Sequence, residues 1–124
     1  MANGEIPNNA ADAKQVEAER TVDRRDARAK LRAWTVVLNT PEGRLLLWEL
    51  LEHCSVFASI WDSSSKIHAN AGRQDVGHYV MARIGEADET KLFLMMTEAS
   101  DAKRALKNDR QALRQQVKRE AEDE

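Results

Sequence analysis

The sequence predicts an all-α fold of about four helices, a compact central bundle with long charged helical arms at both ends. Three observations carry this. All six aromatics, from Trp34 to Phe93, and nearly all the leucines fall in the middle of the 124 residues, so the core belongs there. Residues 10–38 contain no Gly or Pro and are rich in Ala, Glu, Arg and Lys, all favourable in helices. The β-branched signal is confined to Trp34-Thr35-Val36-Val37-Leu38, and no repeat of about 20–50 residues is present.

Each element follows in order. Residues 1–9, rich in Asn, Gly and Pro, read as a disordered leader. Residues 10–30 read as a charged N-terminal helical arm, since six acidic and six basic groups in residues 1–30 accompany only Ile6, Val16 and Val22 as large aliphatics. Ala27, Leu31, Trp34 and Leu38 then form a stripe at spacings of four, three and four that docks the end of the first helix on a core spanning 31–100. Asn39-Thr40-Pro41-Glu42-Gly43 stops that helix and starts the next, with Thr40 or Asn39 as cap, Pro41 in the first turn and Glu42 complementing the dipole. The second helix places Leu47, Leu50, Leu51, Cys54 and Phe57 on one side, widened by Leu46 and Trp48, and is expected to be the most buried element. Asp62-Ser63-Ser64-Ser65 is a turn or cap before a third helix over 66–84. Gly72 and Gly77 each cost that helix about 1 kcal/mol relative to Ala, which predicts close backbone packing at both. Gly85 should end it and Asp88 cap a fourth. The fourth helix carries Leu92, Met96, Ala99, Ala102, Leu106, Leu113 and Val117 outward as a thinning stripe, so 101–124 reads as a charged C-terminal arm with a frayed end.

Composition restricts the partners. With 19 Lys plus Arg against 21 Asp plus Glu the net charge is −2, leaving no global field to draw in nucleic acid or anionic membrane. The residues after Met1 lack the basic and apolar regions of a signal peptide, and the longest run of large apolar residues, Leu45–Trp48, is far below the ~18–20 needed for a membrane span. Neither secretion by that route nor a membrane partner is expected. The lone Cys54 excludes an internal disulfide framework.

Catalytic and metal chemistry find little support. His53 and Cys54 are neighbours that diverge on a helix, and His68 and His78 fall on different faces, so no ligand set converges and no metal or other cofactor is expected. His53 cannot serve Cys54 as a base, Gly72 and Gly77 lack the Lys-Ser/Thr of a phosphate loop, and Glu49 and Glu52 read as solvated or paired with Arg44 or Arg73. No catalytic residue is assigned and no enzyme is expected.

The arms carry the more informative pattern. Arg20, Arg24, Arg28 and Arg32 form one basic row, and Lys103, Lys107, Arg110, Arg114 and Lys118 form a second. Like charges four apart cost a helix about 0.2–0.5 kcal/mol per pair. The rows are therefore offset by Glu19, Asp23, Asp26, Asp101 and Asp109, or met by a protein partner or by phosphate. Balanced charge favours the first of these over nucleic acid. Asn70, Arg73 and Gln74 mimic part of a recognition helix, but hydrogen bonding inside the bundle is the better reading beside the glycines. Leu106, Leu113 and Val117 make a weak coiled-coil stripe interrupted by Asp109, which favours homo-oligomerisation or ordering on a larger surface.

The stretch Leu38-Asn39-Thr40-Pro41-Glu42-Gly43-Arg44-Leu45-Leu46-Leu47-Trp48, then Cys54-Ser55-Val56-Phe57, then Ala71-Gly72-Arg73-Gln74-Asp75-Val76-Gly77 resembles a family of small proteins from the structural-gene clusters of short-tailed bacteriophages of the Bordetella podophage type. The resemblance spans about residues 25–100. Its most specific part joins Thr-Pro-x-Gly-Arg opening one helix to Gly-Arg-x-x-Val-Gly inside the next. The chain departs from the pattern at Gln74, where the family often has a second Arg. The resemblance implies a setting, virion morphogenesis, more than a chemistry; joined to the absence of a catalytic set, the expectation is a non-enzymatic virion or head/portal-region assembly protein, located in the virion or the assembling particle in the host cytoplasm. Its implied partners are portal, capsid or internal virion proteins. The alternatives are a DNA-associating accessory protein using the basic rows and a scaffold-like assembly chaperone. Thr40, Pro41, Gly43, Arg44, Gly72, Arg73 and Gly77 are the constrained positions, with Arg44 and Arg73 expected to reach Glu49, Glu52 or Asp75.

Overall fold

The computed structural model describes residues 10–123, all of whose regular structure is α-helical. Four helices follow one another: α1 (Ala10–Leu38), α2 (Pro41–His53), α3 (Lys66–Ala87) and α4 (Lys91–Glu122). The expected leader, residues 1–9, lies outside the described residues.

Every helix sends side chains to one small core of Leu38, Leu47, Leu51, Val80, Ile84 and Met95. Trp34, Trp48, Val56, Met81, Ala87 and Leu92 surround it, half-buried. α1 rests on α3 and α2, and α4 rests on α2 and α3, while α1 and α4 hardly meet. The two long helices are therefore the outer members, and each outruns the core. Residues 10–30 are exposed except for the partly covered Thr21, and residues 100–123 are exposed throughout.

α1 gives way to α2 because Pro41 excludes Thr40 from the helical region; Thr40 adopts φ −113°, ψ 141°. The Thr40 hydroxyl accepts from the Gly43 amide at 3.0 Å and donates to the Val37 carbonyl at 3.1 Å. Thr40, not Asn39, is thus the cap. A Cβ at Gly43 would run into the Val37 carbonyl oxygen and lie 2.7 Å from Thr40 Oγ1, so only glycine lets α2 begin this close to the last turn of α1.

α2 departs from expectation in length and burial. It stops at His53, leaving Cys54 as its cap and Phe57 outside it; Leu45 and Leu46 are 67% and 69% exposed. It is not the most buried element: α3 contributes Gly77, Val80 and Ile84 against Leu47 and Leu51 from α2. The reason is a left-handed turn at Ser55, φ 55°. The Ser55 amide donates to the Glu52 carbonyl at 3.0 Å and the Val56 amide to the Leu51 carbonyl at 3.4 Å, the paired bonds of a Schellman C-cap. The turn throws Val56 onto α3. Since a left-handed non-glycine residue costs about 1–2 kcal/mol, Ser55→Gly should stabilise the fold by about 1 kcal/mol, read as a higher urea midpoint.

Val56 lands at Gly77, as the packing argument for that glycine requires: a Cβ there would overlap Val56 Cγ2 and lie 2.7 Å from the Cys54 Cβ. Gly72 is a correction. Nothing stands within 4 Å of where its Cβ would be, and it is exposed, so no close packing explains it. Gly85 is another, because α3 runs through it to Ala87. The helix ends instead at Asp88, whose extended backbone (φ −166°) turns the chain. The Asp88 carboxylate accepts from Thr90 N at 2.9 Å and Thr90 Oγ1 at 2.6 Å just before α4, and these bonds hold its pKa below the usual value.

Asn70 and Gln74 hold the α2–α3 loop, as the bundle reading of this segment predicts. Asn70 Nδ2 donates to the Ile60 carbonyl at 3.2 Å, and Gln74 Nε2 to those of Ser55 at 2.9 Å and Ala58 at 3.3 Å. Asp62 organises the same loop by accepting from Ser64 N at 2.8 Å and Ser64 Oγ at 2.6 Å.

Candidate interaction surface

The constrained positions named from the sequence do not form one site. Thr40, Pro41, Gly43 and Arg44 gather at the α1–α2 junction, Gly77 lies buried beneath Val56 and Cys54, and Gly72 and Arg73 stand exposed on α3. Arg73 makes no hydrogen bond or ion pair among the described residues. It does not reach Glu49, Glu52 or Asp75.

Arg44 does bridge helices, but to other partners. Its Nε and Nη2 donate to the Glu98 carboxylate at 2.7 and 3.1 Å, and its Nη1 donates to the Leu38 carbonyl at 3.0 Å. One guanidinium thus joins the end of α1, the start of α2 and the middle of α4, satisfying a carbonyl left open at the C-terminus of α1. The guanidinium holds the Glu98 pKa below its ordinary value of 4.5. Because the folded pKa is depressed, this contribution to stability is present above the unfolded value and is lost as pH falls through the folded one. Glu98→Gln should therefore be less stable than the parent at neutral pH, and the gap should close as urea midpoints are followed down from pH 5.

Beside this bridge runs a groove between α2 and α4. One part, about 200 Å³, is lined by Pro41, Leu45, Trp48, Met95, Ala99 and Ala102 and bounded by Arg44 and Glu98. It adjoins a wider one of about 550 Å³ bounded by Trp48, Phe57, Met96, Ala99 and, at its outer end, Lys103. Trp48 and Phe57 stack there at 5.2 Å with an interplanar angle of 23°, although Phe57 is 52% exposed. Lys103 in turn opens the shallow channel of Leu106, Lys107, Arg110 and Arg114 on the α4 arm. The groove is thus continuous with the second basic row.

The two rows differ in compensation. On α1, Arg24 pairs with Glu17 at 3.0 Å and Lys30 with Asp26 at 2.9 Å, while Arg20, Arg28 and Arg32 remain exposed. On α4, Lys103, Lys107, Arg110, Arg114 and Lys118 are all exposed and form no ion pair among the described residues. Asp101 reaches only Arg104, at 3.9 Å, and Asp109 pairs with none of them. The offset expected from Asp101 and Asp109 is therefore absent for this row.

His53, His68 and His78 are exposed whereas Cys54 is buried, and no group of three ligating side chains able to hold a metal occurs among the described residues. Among the described residues no helix is long and apolar enough to cross a membrane. Comparison with protein-family models, with curated proteins and with solved structures gives no match to this chain.

Proposed function

We propose that this chain is a non-enzymatic assembly protein of a bacteriophage virion or its head/portal region, acting through helix-mediated contacts with other structural proteins. The observation that carries the reading is the inversion of apolar side chains. Among the described residues seven hydrophobic side chains are buried, the six of the core cluster and Cys54, whereas seventeen large ones are exposed, among them Trp61 at 74% and Phe93 at 75%. Isolated exposed apolar side chains are ordinary, but contiguous ones rimmed by charge mark surfaces that work by being covered. Here Leu45, Phe57 and Met96 line the α2–α4 groove, and Val16, Val22, Leu106, Leu113 and Val117 lie along the arms. The phage setting is supported by the resemblance of the Thr40–Arg44 and Gly72–Gly77 segments.

Mass spectrometry of purified mature particles and of assembly intermediates tests the reading. Stoichiometric presence in the mature particle is the expected result. Presence only in intermediates would favour the scaffold-like chaperone, and absence from both would end the proposal. The uncompensated α4 row favours a second reading, DNA association. Phosphate contacts would weaken steeply between low and physiological salt, with a log–log slope near −0.9 per neutralised phosphate, whereas protein docking responds less.

A further inference from the structure

Each long helix carries one uncovered apolar face along its arm, and the two faces match. On α4 the buried Met95 and then Ala99, Leu106, Leu113 and Val117 share one face by the helical period, so the side that packs on the bundle continues outward. From Ala99 to Val117 that seam runs about 27 Å, and Leu106, Leu113 and Val117 along it are exposed. Its one flank holds Lys103, Lys107, Arg110 and Arg114, and its other flank holds Asp109 and Glu120. Within 103–119 there are seven cations and a single carboxylate.

On α1 the face opposite Leu31, Trp34 and Leu38 carries Ala18, Val22, Ala29 and Val36, with Val22 and Val36 exposed. Glu19, Asp23 and Asp26 run along one flank, and Arg25, Arg28 and Arg32 along the other. Turning about each helix in the sense of chain advance, α1 passes from its basic flank across the seam to the acidic one, and α4 passes from acidic to basic. Two such faces set antiparallel bring acid to base on both sides, whereas set parallel they bring like to like. Two copies of α4 face cation row to cation row when antiparallel. When parallel they oppose the cation row with only two carboxylates.

We propose that two copies of this chain pair through their arms, α1 of each lying antiparallel on α4 of the other. Within one chain α1 and α4 hardly touch, and Leu106, Leu113 and Val117 on α4 and Val22 and Val36 on α1 are exposed, so the outer length of each seam is free within the chain. A two-fold axis repeats the contact, giving two seams for one geometry. The inference rests on the reading of the chain as a protein that acts through helix–helix contacts.

Sedimentation equilibrium of the full chain tests it. The wild type should show twice the 14.0 kDa chain mass. A variant with Lys107→Glu, Arg110→Glu and Arg114→Glu, and another with Glu19→Lys, Asp23→Lys and Asp26→Lys, should each dimerise on the order of 10- to 100-fold more weakly, since each reversal turns an attraction into a repulsion. Mixed in equal amounts they should restore a one-to-one dimer, because the acidic α1 and α4 of one then face the basic α4 and α1 of the other. All six sites are exposed, and an unchanged cooperative thermal transition confirms that each variant folds. A monomeric wild type, variants that dimerise like the parent, a mixture that stays monomeric, or masses rising beyond the dimer would each overturn the proposal. So would loss of duplex DNA binding by the α4 variant with its self-association intact. Because particle content is measured separately, failure here leaves the assembly role standing.

Discussion

Leu51→Ala should remove about 3–5 kcal/mol of stability, the largest effect of any single truncation in this molecule. Leu51 is completely buried, and the core cluster around it has only five other members, of which Leu38, Ile84 and Met95 are as fully enclosed. Truncation loses the transfer free energy of the side chain and leaves a cavity that the surrounding helices close only in part. Domains of this size are stable by only about 5–15 kcal/mol, so the variant should unfold at a far lower urea concentration with an unchanged slope, or lose its cooperative transition altogether. A loss below about 1.5 kcal/mol would show that the core relaxes around the gap and that the enclosed cluster is not what holds the four helices together.

Gly77→Ala and Gly72→Ala should move stability in opposite directions although both lie in α3. Alanine gains about 1 kcal/mol over glycine in a helix interior. At Gly72 the added methyl meets open space, so most of that gain should appear. At Gly77 the methyl would overlap Val56 Cγ2 and crowd the Cys54 Cβ at 2.7 Å, and the latter is fixed to backbone. Overpacking of this kind costs about 1–3 kcal/mol, which outweighs the propensity gain. A net loss of about 1–2 kcal/mol is expected at Gly77, so chemical denaturation should separate the two variants by about 2–3 kcal/mol. Val56→Ala should cost less in the Gly77→Ala background than alone, because the two methyls compete for one space. Equal midpoints for the two glycine variants would sink this account of the α2–α3 contact.

The contrast between these glycines also shows what was legible in the sequence. Local signals read well: the helix-forming run of α1, the Thr40-Pro41 restart and the charged arms all appear where the residues placed them. Structural hydrogen bonding by Asn70 and Gln74 was legible too, although their acceptors lie in the α2–α3 loop and Arg73, grouped with them, makes no such bond. What failed were inferences about a residue's surroundings drawn from its type alone. Gly72 and Gly77 look alike in the chain, and only the Ser55 turn, which brings Val56 against one of them, tells them apart. That turn was hidden because a left-handed serine carries none of the usual glycine signal. Gly85 misled for the converse reason: the break comes from Asp88 gripping Thr90, not from the glycine. In the candidate surface, the arm rows and Arg44 were visible, but Glu98, 54 positions away, carried no mark as its partner. The Trp48–Phe57 stack was equally silent, since it depends on Phe57 folding back after α2 has ended.

The reach of Arg44 has a kinetic meaning. α1 and α2 are neighbours in the chain, so their hairpin can form as soon as both have left the ribosome. During that interval the guanidinium has the Leu38 carbonyl but not yet its counter-ion, because Glu98 emerges more than fifty residues later. Closing so long a loop carries an entropic cost that the α1–α2 hairpin does not meet. A contact made after the barrier slows unfolding without speeding folding, so Glu98→Gln is expected to raise the unfolding rate and leave the folding rate unchanged, the pair being a latch on a structure assembled by its leucines.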